Sequence, residues 1–360
     1  MNLFDGFKDP QLCRAVLEQI HAELDGELRF MEVCGTHTVS IFRSGVRSLL
    51  SDKIVHLSGP GCPVCVTHDS EVAAFLDLAE KNVIIATFGD LMRVPGPDKR
   101  TLKMAQAAGA RVKVVYSPFD ALKIAQDNPG DKVVFLGVGF ETTAPAIAAT
   151  MRVAREQGLA NFSVLGFHKL VPPALEALAG DPGLKVQAFL LPGHVSAIIG
   201  VRPYLFLAEK YGIPAVVGGF EPLDILQALH LFVTMRREGR AEVVNAYTRV
   251  VSDTGNTTAL AVMDEVFAPT DALWRGIGLI PGSGLAIRDE YADHDAMRIF
   301  DLELKDVPEI KGCRCGDVLK GKIGPNQCPL FGTACTPASP VGPCMVSTEG
   351  SCAAYYKYSV

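Results

Sequence analysis

The stretch VVFLGVGFET, residues 133–142, decides the fold class of this chain. Its first four residues are apolar, as expected for a strand that is buried on both faces of a sheet. Glycines and polar residues follow at once, and an amphipathic helical stretch comes after them. A buried strand that turns directly into a helix is the repeating unit of parallel α/β proteins.

Apolar runs of the same kind recur along the chain, and each ends at glycine, proline or a polar turn. Amphipathic stretches separate most of them; in residues 69–81, Val72, Phe75, Leu76 and Ala79 fall on one helical face. The sequence therefore predicts parallel α/β sheet, with functional side chains at the carboxyl ends of the strands. The other runs are residues 54–57, 83–86, 112–116, 162–165, 186–191 and 215–217.

The end of the chain carries six of its ten cysteines, among glycines, prolines and short apolar runs. Four thiolates from one irregular segment suit an iron–sulfur cluster, in which each corner iron needs one soft ligand. Cys315 could replace Cys313 as a ligand, because only Arg314 separates them. The four predicted ligands are Cys313, Cys328, Cys335 and Cys352.

The domain organisation follows from two features of the sequence. Residues 218–222 (GGFEP) repeat the pattern of residues 138–142 (VGFET), which indicates two copies of one α/β unit. From about residue 289 the pattern changes to clustered charges and then to the cysteine-rich tail. The predicted fold is α/β, with two similar parallel-sheet α/β domains and an irregular, mostly helical C-terminal iron–sulfur domain. The expected divisions are an N-terminal segment 1–50, α/β domains 51–150 and 151–284, and a cluster domain 285–360. A contact between the N-terminal segment and the cluster domain is left open.

Composition narrows the class of protein. The chain has 360 residues, 48% of them hydrophobic, and a formal net charge of −6 with scattered lysines and arginines. This pattern argues against nucleic acid and anionic membrane as partners, because both require a basic face. Residues 1–10 contain no signal-peptide core, and no run reaches the roughly 18 apolar residues of a membrane span. We expect a cytoplasmic protein, in which cysteines serve metal or redox chemistry rather than a disulfide framework.

The motif MEVCGTHT, residues 31–38, lies where a strand-like stretch (28–33) meets a predicted helix over residues 39–50. A thiol at the N-terminus of a helix is expected to have a lowered pKa. As a thiolate, Cys34 could act as a nucleophile or bind a soft metal, with His37 as a further ligand or proton donor. The alternative is a turn cysteine beside a threonine that caps the helix.

The motif GPGCPVC, residues 59–65, again follows a strand and precedes a helix. Its C-x-x-C pair, Cys62 and Cys65, can cycle between dithiol and disulfide. The alternative is half of a zinc site completed by Cys34 and His37. We favour the redox interpretation, because the cluster cysteines lie elsewhere and could deliver electrons.

Four polar residues come directly after predicted strands: Asp90, Glu141, His168 and His194. Each of them alone is more often a helix cap or a paired surface residue than a catalytic group. Because the carboxyl ends of parallel strands meet at one edge of a sheet, we expect the four to lie around one cleft.

Together these segments resemble the hydrogenase maturation factor HypD family, over nearly the whole chain. Several long motifs carry the resemblance, which makes it far more specific than an isolated C-x-x-C. They are MEVCGTH (31–37), GPGCPVC (59–65), GFETTAP (139–145), FHKLVPP (167–173), LPGHVS (191–196), CPLFG (328–332) and CAAYY (352–356).

The resemblance implies a scaffold that, with the chaperone HypC, holds an iron and supports redox assembly of the Fe(CN)2CO group of [NiFe]-hydrogenase. HypE, carrying a cyano group made with HypF, would dock on that complex. Cys34 matches the iron-binding cysteine of the family, Cys62 and Cys65 match its redox pair, and His37 lies beside the iron. The family spacing places a [4Fe–4S] cluster on Cys313, Cys328, Cys335 and Cys352. Such a protein is a redox-active assembly scaffold rather than a conventional turnover enzyme.

In this scheme soft thiolates suit a low-spin iron that carries cyanide and carbon monoxide. The candidates for moving protons or for hydrogen-bonding cyanide are His37, Asp90, Glu141, His168 and His194.

Two other functions compete with the assembly scaffold. One is a stand-alone iron–sulfur disulfide reductase acting on a thioredoxin-like partner, and the other is a zinc-stabilised binding module. Neither of these two functions requires the Cys34 motif.

Overall fold

The structure, a computed structural model, describes residues 5–308 and 310–358. The strands are β1 Leu28–Glu32, β2 Ile54–Ser58, β3 Ile84–Thr87, β4 Arg111–Val114, β5 Val133–Gly137, β6 Phe162–Gly166, β7 Ala188–Pro192, β8 Ala215–Gly218, β9 Val243–Asn245, β10 Phe267–Trp274 and β11 Gly278–Ile287. The helices are α1 Pro10–Glu23, α2 Gly35–Arg43, α3 Val46–Leu49, α4 Pro63–Val66, α5 Asp69–Ala79, α6 Leu102–Ala107, α7 Pro118–Asp127, α8 Ala144–Glu156, α9 Val171–Ala179, α10 Gly193–Ile199, α11 Phe206–Glu209, α12 Pro222–Arg237, α13 Thr257–Val266, α14 Ala296–Ile299, α15 Cys315–Leu319 and α16 Ser351–Tyr358.

Two parallel sheets form the body of the molecule. Sheet I has the strand order β2-β1-β7-β8-β9, and sheet II has the order β4-β3-β5-β6. Strands β10 and β11 pair separately as an antiparallel hairpin. Sheet strands such as β3, β5 and β7 are buried along their whole length, because helices cover both faces. The predicted α/β class with two parallel sheets is confirmed.

The predicted strands are found within one or two residues of their expected ends, because β-branched and apolar runs mark them clearly. The helix expected over residues 39–50 differs. It begins earlier, at Gly35, and it breaks after Arg43 into two short helices. The break occurs at Gly45, which has a φ of 76°, a left-handed conformation that a continuing helix does not allow.

Strand pairing crosses the divisions expected at residues 50 and 150. Strands β1 and β2 lie on either side of residue 50, and both belong to sheet I, where β1 also pairs with β7. Strand β6 follows residue 150 and completes sheet II beside β5. Parallel pairing joins segments that are distant in sequence, so local patterns do not reveal which sheet receives a strand.

The cysteine-rich tail is irregular, with the short helix α15, the helix α16 and single-turn 3-10 helices between them. Helix α16 packs against α2, the helix that follows Cys34. The rings of Phe42 and Tyr355 lie 4.6 Å apart, and Arg47 donates a hydrogen bond of 3.2 Å to the Tyr355 hydroxyl. The tail therefore returns to the carboxyl end of β1. Within the described residues, no helix has the length and apolar character needed to cross a membrane.

Candidate functional site

Cys34 lies between β1 and α2, directly against the loop that carries the C-x-x-C pair. The Gly35 amide donates a hydrogen bond of 2.9 Å to the Gly61 carbonyl. A Cβ atom on Gly61 would lie 2.2 Å from the Cys34 nitrogen, so only glycine allows this approach. The two cysteine motifs that the sequence singled out are thus adjacent.

The C-x-x-C pair occupies the start of α4, a one-turn helix whose first residue is Pro63. Cys62 and Cys65 form a disulfide, and both are buried. The Cys65 amide also donates a hydrogen bond of 3.2 Å to the Cys62 sulfur. Proline at the first helical position fixes the backbone of this turn, which holds the two sulfur atoms at bonding distance.

A cleft of about 410 Å³ opens beside Cys34. It lies at the carboxyl ends of both sheets, between the loops that follow β1, β2, β5 and β7. Thr142 and Thr143 of the GFETT motif contribute from sheet II, and His194 contributes from sheet I. The cleft is where an α/β protein binds its ligands.

Glu349 closes the cleft from the tail, and sequence reasoning missed it. The Thr36 hydroxyl donates a hydrogen bond of 2.9 Å to the Glu349 carboxylate. A Cβ atom on Gly35 would lie 2.5 Å from the Cβ of Glu349, so the two chains touch here. Burial raises the pKa of Glu349. No local pattern in the sequence indicates its contact with the Cys34 loop.

The predicted lowering of the Cys34 pKa is wrong for the protein without bound iron. Burial raises the pKa of this thiol to about 12. Backbone N–H groups of His37 and Thr36 act in the opposite direction, and nearby Glu349 and Glu32 add to the rise. The amide groups at the helix start are present as expected, but removing the sulfur from water outweighs them.

Glu32 holds the Cys34 backbone through its buried carboxylate, a role that no sequence pattern indicates. Its carboxylate is fully buried and accepts hydrogen bonds from the Cys34 amide (3.1 Å) and the Thr38 hydroxyl (2.6 Å). The imidazole of His56 lies 3.6 Å from the same carboxylate. These contacts fix the turn between β1 and α2.

The rings of His37 and His194 both pack against the Phe220 ring, at 4.6 Å and 4.1 Å between ring centroids. His37 is buried and donates its Nε2 hydrogen to the Gly219 carbonyl at 2.9 Å, which leaves Nδ1 unprotonated. Burial lowers the pKa of His37 to about 4. His194 is exposed on the cleft, and partial burial lowers its pKa. Both rings are therefore neutral at pH 7.

The other polar residues predicted after strands lie apart from the cleft wall. Glu141 is buried, accepts a hydrogen bond of 2.9 Å from the Val171 amide, and has its pKa raised by burial to about 7. His168 is buried with both ring nitrogens unpaired among the described residues, and burial lowers its pKa to about 3. Asp90 is exposed. Among the four, His194 is the residue that lines the cleft.

All six tail cysteines line one small cavity, together with Leu330 and Phe331. Within it, the sulfur atoms of Cys315 and Cys344 are 2.7 Å apart, and both residues are buried. Contact with the Cys344 thiol lowers the pKa of Cys315, and Arg275 acts in the same direction. The remaining cysteines are Cys313, Cys328, Cys335 and Cys352.

This donor set fits an iron–sulfur cluster better than a single ion. Among residues 5–308 and 310–358, no three histidine, cysteine or acidic side chains lie close enough to bind one metal ion. A cluster needs its thiolates spread around it, one for each corner iron. Cysteines distributed around a shared cavity meet that requirement.

The cavity and the C-x-x-C helix are neighbours. The 3-10 turn Pro343–Met345, which carries Cys344, packs against α4. Cys62, Cys65, Cys315 and Cys344 all belong to one buried core. The structure thus brings the sulfur atoms of the upstream motifs and of the tail into one continuous region.

Comparison with known proteins identifies relatives over the full length. The family model HypD, described as the hydrogenase formation hypA family, matches residues 11–359. The Hydrogenase maturation factor HypD of Rhodobacter capsulatus is 45% identical, over 99% of this chain and 98% of its own length. The protein of the same name from Cupriavidus necator is 44% identical, over 99% of this chain and 97% of its own length.

Proposed function

This chain belongs to the HypD family of hydrogenase maturation factors, and we propose that it is the scaffold that assembles the Fe(CN)2CO group together with HypC. HypE would dock on the complex of the two proteins and deliver the cyano groups, in the cytoplasm. The observation that carries the proposal is the meeting of Cys34, the C-x-x-C loop and the tail around one cleft.

Cys34 is the proposed ligand for the iron that is being assembled. Its thiol is protonated in the free protein, because burial raises its pKa to about 12. Binding iron therefore displaces this proton and places a soft thiolate on the metal. A cysteine of HypC would supply a second thiolate, and the cleft leaves room for diatomic ligands beside them.

Cys62 and Cys65 are the proposed two-electron store next to the iron. Reduction of their disulfide takes up two electrons and two protons and yields two thiols, and oxidation returns both to the site. The close approach of Gly61 to Cys34 keeps the C-x-x-C pair beside Cys34, the proposed iron ligand. Both cysteines are buried, so exchange with outside thiols is limited.

The tail cysteines are proposed to hold a [4Fe–4S] cluster, which would supply electrons one at a time to the C-x-x-C pair. The contact between Cys315 and Cys344 supports ligation by the other four, Cys313 among them. Cys315 and Cys344 lie in the same buried core as Cys62 and Cys65, and the turn that carries Cys344 packs against α4.

Polar side chains in or near the cleft are suited to move protons or to hydrogen-bond cyanide nitrogen. His37 is buried outside the cleft lining and uses its Nε2 hydrogen on Gly219, so its Nδ1 can accept a proton but cannot donate to cyanide. His194 is exposed on the cleft, and Glu349 closes it. Glu141 and His168 are buried, so we assign them a supporting role in the same process.

Two alternatives are less well supported. A disulfide reductase must expose one cysteine to attack a partner, whereas Cys62 and Cys65 are buried. A zinc site built from Cys34, His37 and the C-x-x-C pair conflicts with the disulfide and with the hydrogen bond of the His37 ring.

The test is anaerobic purification with HypC, followed by infrared spectroscopy between the amide and C–H regions and by analysis of iron, zinc and acid-labile sulfide. The proposal predicts a stable complex, CO and CN bands, and more iron than the cluster accounts for. Turnover of a thioredoxin-like substrate without HypC binding would instead identify a reductase. Zinc without acid-labile sulfide would identify a binding module.

A further inference from the structure

The tip of the β10–β11 hairpin lies between the C-x-x-C segment and the tail cysteines. Trp274 forms a β-bridge with Thr67, just after α4, and the Arg275 amide donates a hydrogen bond of 2.9 Å to the Val66 carbonyl. On the other side, a Cβ atom on Gly276 would lie 2.2 Å from the Cα of Gly316. The hairpin tip therefore touches both segments that carry redox cysteines.

Arg275 is the charged residue of this tip, and it is buried, with 6% of its surface exposed. Its Nε hydrogen bonds the Thr67 carbonyl at 2.9 Å, and its Nη1 forms an ion pair with the Asp69 carboxylate. Its Nη2 is buried without an acceptor among the described residues. Arg275 also lines a small cavity together with Cys313 and Cys315.

The cost of burying this cation makes a purely structural role unattractive. Ion pairs removed from water rarely stabilise a fold more than well-packed apolar residues would. Asp69 compensates the charge, and both residues line the small cavity that also contains Cys313 and Cys315. The Nη2 hydrogens of Arg275 have no acceptor among the described residues. A positive charge and N–H groups near cluster sulfurs favour the reduced cluster, because reduction adds negative charge.

We infer that Arg275 is a positioning residue for electron transfer, which holds the C-x-x-C segment against the cluster cysteines and raises the reduction potential of the cluster. The inference rests on the proposed function, since it requires the [4Fe–4S] cluster in the tail. It adds a role for the β10–β11 hairpin, to which the cysteine motifs alone assign nothing.

The experiment is a redox titration of the purified full-length protein, with cluster reduction followed by electron paramagnetic resonance. Arg275→Gln removes the cation, so the midpoint potential should become more negative. A tenfold decrease in the equilibrium constant for reduction of the cluster corresponds to a shift of about 59 mV for one electron. Asp69→Asn removes the anion and keeps the cation, so it should shift the potential in the positive direction. Arg111→Gln, which breaks a surface pair with Asp131, should leave the potential unchanged.

The two signs separate electrostatics from damage to the fold. Structural damage alters both variants in the same direction, whereas the inference requires opposite shifts. Equal signs, or no shift in either variant, would overturn it. If Arg275→Gln loses its cluster, Asp69→Asn alone tests the inference: a positive shift of its midpoint potential supports it, and no shift or a negative shift overturns it. If the native protein has no reducible cluster, the proposed function is overturned as well. If the native cluster is normal and neither variant shifts its potential, the Arg275 inference alone is overturned.

Discussion

At Cys34, two effects act on the same sulfur in opposite directions. The helix N-terminus and its amide groups favour the thiolate, and burial favours the thiol, which gives a pKa of about 12. The sequence revealed the first effect through the strand-to-helix position. It could not reveal the second, because burial here comes from the Gly61 loop and from Glu349, which are distant in sequence. A buried neutral thiol is protected from oxidation, and under the proposed function iron would displace its proton.

Glu141 gives a prediction for pH dependence. Its native pKa of about 7 lies above the ordinary value of 4.5, so the folded protein favours the protonated form. The resulting stability is fully present below the unfolded pKa and is lost as pH rises through 7. Glu141→Gln should therefore stabilise the protein more at pH 8 than at pH 5, by about 2 kcal/mol.

Denaturant unfolding at the two pH values measures this difference. His168→Gln serves as a comparison of opposite sign. The unfolded histidine is protonated below its ordinary pKa of 6.5, whereas the buried ring stays neutral down to about 3, so His168→Gln should stabilise the protein more at pH 5 than at pH 8. An equal effect of Glu141→Gln at both values would show that the carboxyl is already ionised in the native protein.

Among the elements, the loop after β2 and the start of α2 depend on each other through Gly61. Gly61→Ala places a methyl group 2.2 Å from the Cys34 nitrogen, so one of the two backbones must move. We expect iron retention in the complex with HypC to fall about 10- to 100-fold, as for other changes that displace a metal ligand indirectly. Iron analysis of the purified complex measures the loss.

Gly130→Ala is the matched control, because its added methyl group meets no atom within 4 Å. Gly61 does not line the cavity that the tail cysteines share, so absorbance of the proposed cluster should persist in both variants. Normal iron retention by Gly61→Ala would show that the contact between the two loops does not position Cys34.

The elements differ in how far the sequence predicts them. Apolar runs predicted strands β2 to β8 closely, because buried parallel strands are continuous and end at glycine or polar residues. The start of α2 was missed by four residues, because Gly35 and Thr36 are poor helix formers that tertiary contacts with Glu349 hold in place. The pairing of β1 with β7 could not be predicted from local sequence patterns, because the two strands are distant in sequence.

Across the whole molecule, the carboxyl ends of both sheets and the tail enclose one region that contains sulfur from distant parts of the chain. The cysteine motifs stand out in the sequence, and the ligand and redox chemistry assigned to them stays a prediction from residue type and spacing. The sequence did not predict that Glu349 and Arg275 border the two sites. Each is placed by packing between distant segments, Glu349 on Gly35 and the Arg275 turn on Gly316.

The cohesion of the tail gives a prediction at this scale. Its short helices carry little apolar surface of their own, so a bound cluster should hold it together. Cys328→Ala should remove the acid-labile sulfide and the visible absorbance. Limited proteolysis should then cut within residues 311–358, while the two sheets remain resistant.

Cys344→Ala is the control within the same segment, because this cysteine contacts Cys315 and is not assigned as a ligand. It should keep the cluster. Loss of the cluster from Cys344→Ala with retention in Cys328→Ala would reverse the proposed ligand set.

The most direct measurement on the whole account is the infrared spectrum of the complex with HypC, prepared anaerobically with Cys34→Ala or with Cys13→Ala. Cys13 lies on α1, half-buried in a different core, and serves as the control for loss of a thiol. We predict CO and CN bands with Cys13→Ala, and neither bands nor extra iron with Cys34→Ala, while cluster absorbance stays the same. Unchanged CO and CN bands in the Cys34→Ala complex would contradict the assignment of this cysteine as the iron ligand.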